Sequence, residues 1–306
     1  MIKIKVRNEY RWKRLVSLES EIWFKGYSLD GLSLERLHYK LERILSSQIV
    51  SISDFRLFIN SIELKGHFSL VVKKQNKVFA MTDRIGSVPL IYHHTKQDLI
   101  IGDHAQKVAH NINKITNRDA FLELSMSGYT IGKKTLYENI FQLTAGEMLL
   151  FNNGELNREY YYTYTPWLVK NRTLTSLKNK FKDVFLSSLE EVVKESSGRQ
   201  IVVPLSAGND SRAIASALKY IGSKNVLCFS YGRKNNFEMS AGQLISDKLG
   251  YKWIGIPLTL AGQRKFNHSN EFKSFLSATD MFSSSPHIQE VSAISMLRKN
   301  KLIDNN

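Results

Sequence analysis

The stretch Ile201-Val202-Val203-Pro204-Leu205-Ser206-Ala207-Gly208-Asn209-Asp210-Ser211-Arg212 constrains this chain more than any other. An apolar run of strand character stops at a turn of small residues. Ala213-Ile214-Ala215-Ser216-Ala217-Leu218 then reads as the opening of a buried helix. A helix start leaves its first backbone N–H groups without partners and carries partial positive charge, so an anion placed there meets several donors at once. Small residues at 206–208 admit the anion to the backbone, Gly208 is free to take a positive φ, and the Ser206 and Ser211 hydroxyls add donors. A carboxylate beside phosphates would repel them, so Asp210 implies a cation that both share, most simply Mg²⁺. The competing reading is that Asp210 and Ser211 only cap a helix. The strand before, the helix after and the Asp-Ser pair together favour a site for nucleotide phosphates.

The surrounding pattern supplies the context such a turn needs. Leu174, Leu177, Phe181, Val184, Phe185, Leu189, Val192 and Val193 follow helical spacing behind Thr173 as N-cap. After the turn come a buried strand over 225–232, a helix through Ala241, Leu244, Ile245 and Leu249 closed by Gly250, and a strand over 253–257. Alternating strand and helix implies a parallel sheet whose ligand lies beyond the strands' carboxyl ends. Leu205-Ser206 and Ser230-Tyr231 both fall at such ends.

Leu205-Ser206-Ala207-Gly208-Asn209-Asp210-Ser211 resembles the pyrophosphate loop of the ATP pyrophosphatases, usually Ser-Gly-Gly-x-Asp-Ser, and in particular that of the asparagine synthases. Ala207 stands in place of the first Gly and narrows the approach. The resemblance implies that Leu205 and the backbone near Tyr231 hold adenine, while Ser206, Gly208, Asp210 and Ser211 hold the pyrophosphate of ATP and its Mg²⁺. Glu238 matches an acidic position of that family's pattern, and a solvated Glu at a helix start accounts for it as well.

The first half reads differently. Ile2, Ile4 and Val6 alternate with Lys3, Lys5 and Arg7 as a half-exposed strand, and Leu34, Leu37, Leu41 and Ile44 have helical spacing behind Ser33. From Gly66 onward, strands at 68–72, 78–81, 90–92, 99–101 and 148–151, with an Asn153-Gly154 turn, suggest a mainly antiparallel sheet. Asp83-Arg84 could be an acid pair for chemistry but reads better as a turn-stabilising ion pair or Asx-turn, and His93, His94, His104 and His110 lack metal-site spacing and read as surface histidines. Residues 158–172 form the boundary, with a run of tyrosines ending at Pro166-Trp167 that reads as an aromatic seam between domains.

Gly66-His67-Phe68-Ser69, Asp83-Arg84-Ile85-Gly86-Ser87-Val88-Pro89-Leu90-Ile91-Tyr92, Gly128-Tyr129-Thr130, Thr135-Leu136-Tyr137 and Ala145-Gly146-Glu147 look like successive landmarks of the class II glutamine amidotransferase domain that precedes the synthetase domain in asparagine synthases. That family's glutaminases use an N-terminal Cys as nucleophile and, through its α-amine, as base. Position 2 is Ile, and the sole cysteine, Cys228, sits in the apolar run Val226-Leu227-Cys228-Phe229, which predicts a buried, inert thiol. The resemblance therefore implies the amidotransferase fold without glutamine hydrolysis.

Together these readings predict two domains of α/β and α+β class. Residues 1–165 would be an Ntn-hydrolase-like antiparallel sheet sandwich with helices. Residues 173–306 would be a parallel-sheet, adenine nucleotide α-hydrolase-like domain that stops short of the family's second phosphate loop. Ser285-Pro286-His287 leads into a helix carrying Ile288, Val291, Ile294 and Leu297, and residues 301–304 read as the start of a further strand. The expectation that follows is a fragment, or a synthetase domain completed by a second chain.

Composition narrows the partners. With 42% hydrophobic and 23% charged residues, the chain has the make-up of an ordinary globular protein. No run approaches the roughly 20 apolar residues of a membrane span, which makes cytoplasm the default. The net charge of +15 invites nucleic acid or another anion, yet the basic residues are dispersed and no recognition motif accompanies them. The leading expectation is an asparagine-synthase-like ligase that amidates a small-molecule carboxylate, aspartate or a related acid, with ammonia at the expense of ATP. A non-catalytic scaffold and a tRNA-modifying relative using the same loop stand as alternatives.

Overall fold

The computed structural model describes residues 1–7, 11–28, 32–62, 64–168 and 171–304. The chain divides into two compact units, Met1–Pro166 with Leu276–Pro286, and Trp167–Phe275 with His287–Asn306. Of the boundary stretch 158–172, Val169 and Lys170 lie outside the described residues.

In chain order the first unit holds β1 (Ile2–Lys5), β2 (Lys13–Val16), β3 (Ser20–Ser28), α1 (Leu34–Leu45), α2 (Ile52–Ser61), β4 (Gly66–Lys74), β5 (Lys77–Thr82), β6 (Leu90–His94), β7 (Leu99–Gly102), α3 (Ala105–Val108), α4 (Arg118–Ser127), β8 (Phe141–Leu143), β9 (Glu147–Asn152) and β10 (Glu155–Tyr160). One sheet has the order β10-β9-β5-β4-β3-β2 and is antiparallel throughout; the other has the order β1-β7-β6-β8, with β1 and β7 parallel.

The strands alternate between two apolar clusters. Phe68, Leu70 and Val72 of β4, Phe79 and Met81 of β5, and Met148 and Leu150 of β9 meet Leu37, Leu41 and Leu45 of α1 and Phe55 and Ile59 of α2. Their neighbours Val71, Val78, Ala80, Leu149 and Phe151 turn the other way and meet Leu90, Tyr92, Leu99 and Ile101 of the second sheet. Ile91 of β6, with Ile100 of β7 packed beside it, faces Ala105 and Val108 of α3 on that sheet's far side. The result is four layers: helices, sheet, sheet, helix. Central strands are covered on both faces, which is why they read as continuous apolar runs. Phe55 and Phe79 stack at 3.9 Å between ring centroids in the first cluster.

Helix starts follow local chemistry. Ser33 caps α1 by accepting from Arg36 N, and Ser51 with Asp54 forms a reciprocal capping box on α2. Strands β2 and β3 and helix α2 had no expectation attached to them. In β3, Ile22 and Phe24 face the helices while Trp23 faces the second sheet, so the alternation that marks a strand is hidden. Gly26 within β3 has φ +111, and a Cβ there would sit 1.8 Å from His67 O, so only glycine fits. Tyr161, from the tyrosine run, packs against the helix-side cluster of this unit, whereas Tyr164 and Trp167 are exposed.

Leu276–Pro286 belongs to the first unit through Phe282, which enters the α3 cluster, and through backbone bonds from Leu136 N to Phe282 O at 2.7 Å and Thr130 N to Ser283 O at 2.8 Å.

The second unit contains α5 (Leu174–Ser196), β11 (Ile201–Pro204), α6 (Asn209–Tyr220), β12 (Val226–Gly232), α7 (Phe237–Leu249), β13 (Lys252–Pro257), α8 (Leu260–Asn267), α9 (Asn270–Thr279), whose last turn crosses into the first unit's segment, and α10 (Val291–Lys299). Its three strands run parallel in the order β11-β12-β13. Val203, Leu205, Ala215, Leu218 and Cys228 form the core on one face, and Phe229, Ile256, Ala293 and Leu297 on the other. Residues 301–304 are not a strand. Lys301 adopts φ 53 and reverses the chain after α10, so that Leu302 and Ile303 fold onto the Phe229 cluster. The molecule is thus a mixed α/β protein.

Candidate functional site

The turn between β11 and α6 closes on itself. Ser206 N donates to Ser211 Oγ at 3.1 Å, the Ser206 and Ser211 hydroxyls lie 3.0 Å apart, and Gly208 N donates to Ser206 Oγ at 3.1 Å. Gly208 is the N-cap residue of α6 with φ −66 and ψ 152, so the positive φ expected of it is not used. Glycine is still favoured there, because a Cβ would lie 3.1 Å from Ser206 Oγ. Ala207 likewise avoids positive φ, and its methyl group carries no backbone strain.

The N-cap residue of α6 is Gly208, which makes no side-chain cap bond, so neither Asp210 nor Ser211 is the cap of this helix. The first amides of that helix, with their partial positive charge, are therefore available to a ligand. Asp210 is exposed on the first helical turn. Among the described residues no group of three or more His, Cys, Asp or Glu side chains is placed to hold a metal ion. One carboxylate fits Mg²⁺ only in the manner of a phosphate-borne ion, which takes one or two protein carboxylates and completes its shell with phosphate oxygens and water.

Beside this turn, at the carboxyl ends of β11 and β12, lies a cavity of about 340 Å³ lined by Pro204, Leu205, Ser206, Phe229, Ser230, Tyr231, Glu238, Gln289 and Glu290. The sheet fixes its floor. Leu205 N donates to Phe229 O at 2.7 Å, Ser230 Oγ donates to Leu205 O at 2.6 Å, and Trp253 Nε1 donates to Ser230 Oγ at 3.0 Å, so one buried hydroxyl ties the three strands together. Gly242 of α7 lets the helix approach, since a Cβ there would meet Ser230 Oγ at 2.3 Å. Burial, and then the Glu290 carboxylate that it also hydrogen-bonds, push the Tyr231 phenol up to about 12. Glu290 is in turn paired with His287 at 2.7 Å.

Of the residues expected from sequence, Leu205, Ser206 and Tyr231 line the cavity, and Gly208, Asp210 and Ser211 stand at the adjoining helix start. Gln289 and Glu290 carried no expectation. They arrive from a distant segment, and no spacing rule connects them to the turn.

The landmarks of the first unit are structural in their contacts. Asp83 is buried; its Oδ2 accepts from Phe68 N at 2.9 Å and Ser87 N at 3.0 Å, and its Oδ1 accepts from Ile85 N at 2.8 Å. Asp83 therefore organises the turn through backbone amides, and Arg84 instead lies 4.9 Å from the centroid of the Tyr162 ring. Ser69 Oγ donates to Val88 O at 2.6 Å, and Thr135 Oγ1 donates to Ile140 O at 2.7 Å. Glu147, buried, accepts from Thr144 N at 2.8 Å and from Arg158 Nε at 2.6 Å.

Cys228 is buried and its thiol is pushed up by burial, as its apolar neighbours predict. His104 is a correction to the surface reading. It is buried, caps α3 by accepting from Lys107 N, and donates through Nε2 to Ser277 O at 2.6 Å. A polar ring that satisfies a helix start and a carbonyl has no need of solvent.

Residues 60–162 match the family model of a glutamine amidotransferase domain, the same stretch that carries the landmarks above. No curated protein matches the chain. Among solved structures, it is similar to the glutamine phosphoribosylpyrophosphate amidotransferase from B. subtilis complexed with ADP and GMP, at 13% identity over 84% of this chain and 52% of that one, with a TM-score of 0.25. It is also similar to a structure described as the allosteric regulatory enzyme of purine biosynthesis, at 13% identity over 82% and 50%, with a TM-score of 0.27. The chain spans about half the length of these structures, and TM-scores this low carry no argument. Residues 60–162 are a glutamine amidotransferase-like domain.

Proposed function

We propose that the second unit binds Mg-ATP at the β11–α6 turn and uses it to amidate a carboxylate, in the manner of the asparagine synthases. The observation that carries this reading is the uncapped start of α6 opening beside a cavity at the carboxyl ends of parallel strands. Polarity divides the site. The helix start suits the phosphates, whereas Glu238 and Glu290 repel them and accept hydrogen bonds from an amino group such as that of adenine. Phe229 and Tyr231, with ring centroids 6.2 Å apart, offer an aromatic wall to a base.

The reaction would run in two steps. A carboxylate oxygen attacks the α-phosphorus, the bond to the β-phosphate oxygen breaks and pyrophosphate leaves; ammonia then attacks the acyl carbon, AMP departs and a proton is lost. The chain's task is alignment and charge neutralisation of the leaving pyrophosphate, through the α6 amides and the Ser206 and Ser211 hydroxyls. Asp210 would hold Mg²⁺, which when bound offsets phosphate charge. The sole cysteine, Cys228, is buried in the second unit, so ammonia is proposed to enter free or from another protein.

Two measurements test this. Mg-ATP at 100 times its Kd should stabilise the second unit by about 2.7 kcal/mol. Asp210→Asn should abolish ATP–pyrophosphate exchange in the presence of the carboxylate. Absence of any thermal shift with Mg-ATP would leave a non-catalytic scaffold as the reading. Exchange at an unchanged rate in the variant would remove Asp210 from the metal site.

A further inference from the structure

The basic residues look dispersed in sequence, yet the fold collects several of them at one place in the first unit. Register sets Lys3 of β1 opposite Ile100 of β7, and Ile100 opposite His93 of β6, so the three form a row across one face of the four-stranded sheet. Lys5, two residues on, shares that face. It is the face that packs α3, and the chain following α3 brings His110, Asn111 and Ile112 over it. With Met1 and Asp98 these residues line a cavity of about 270 Å³.

The charges of this cavity do not cancel. Among the described residues Asp98 is the one carboxylate in the lining, and it is matched by the Met1 ammonium at 2.5 Å. Lys5 Nζ donates to a neutral acceptor, Lys107 O, at 2.8 Å, and burial and the charge of Lys3 both push its ammonium down. His93 Nδ1 lies 2.7 Å from Asn139 O; a carbonyl only accepts, so Nδ1 carries the proton and Nε2 is the ring's remaining polar atom. The Lys3 and Lys5 ammonium groups repel one another across this half-enclosed space unless an anion shares it, and the His93 and His110 rings add polar atoms beside them. Ile100 and Ile112 add an apolar side to the same space.

We propose that this cavity is an oxyanion site that takes a phosphate-class dianion bearing a small organic group. Lys3 and Lys5 meet the charge, His93 and His110 donate or accept at its rim, and the isoleucines contact the organic part. The site lies wholly within the first unit and stands or falls independently of the nucleotide site.

The test titrates inorganic phosphate, and separately glycerol 3-phosphate, into the full chain labelled with ¹⁵N-histidine, with chloride at matched ionic strength as control. The imidazole signals of His93 and His110 should shift saturably with both phosphates and not with chloride, more tightly for glycerol 3-phosphate. Lys3→Gln, which removes an exposed head group, should weaken the Kd about tenfold, the loss of one charge-assisted bond. Lys5→Gln should weaken it too, and an unchanged melting temperature identifies that loss as binding rather than release of α3. Ser206→Ala, in the other unit, should leave the response as it is. No saturation, an equal response to chloride, or an unchanged Kd in Lys3→Gln would overturn the proposal.

Discussion

Asp83→Ala gives the sharpest test of how the amidotransferase-like unit is held together. The carboxylate satisfies three backbone amides, of which Phe68 N is fully buried and Ile85 N and Ser87 N are partly so. A buried amide left without an acceptor costs about 1–3 kcal/mol, and a partly exposed one that water can reach loses only the net bond, about 0.5–1.5 kcal/mol. The expected destabilisation is therefore about 3–4 kcal/mol. With a urea slope of about 2–3 kcal/mol/M, the midpoint of the first unit's transition should fall by more than 1 M. Asp83→Asn should lose less, because its carbonyl can keep the position that serves Phe68 and Ser87 while its amino group opposes Ile85 N. Amide exchange at these three residues reads the same contacts directly. A midpoint shift within error, or protection of Phe68 N retained in the alanine variant, would show that the carboxylate is not what orders this turn.

Three further outcomes follow from how the side chains are packed. Gly26→Ala should unfold the first unit at ordinary temperature, because its Cβ would overlap His67 O at a left-handed φ; a melting temperature close to wild type would refute the reading. Burial holds the His38 imidazole below its ordinary 6.5 despite the opposing charge of Glu42, so the folded state prefers the neutral ring. Its contribution is complete above pH 6.5 and is lost as the pH falls through the depressed folded value, a decline that His38→Gln should flatten in acid-titrated unfolding midpoints. Cys228 should resist alkylation in the native chain and react only after denaturation, and rapid native labelling would contradict its burial.

What was legible in the sequence was whatever local chemistry decides. Ser33, Thr173 and Gly250 announce helix ends because a hydroxyl caps an amide and glycine accepts the left-handed turn, and all three do so. Strand, small-residue turn and helix at 201–218 were readable for the same reason, as were the Asp83 turn and the inert Cys228. Tertiary structure decided the rest. It turned Trp23 away from Ile22 and Phe24, buried His104 against Ser277 O, and drew Phe282 into the first unit. It also set Glu290 against Tyr231 and aligned Lys3 with His93. Each of these depends on packing against residues distant in sequence whose affinity for one another is ordinary. Only the geometry of a packed sheet brings such groups close enough for burial and charge to act, and no local pattern encodes that closeness.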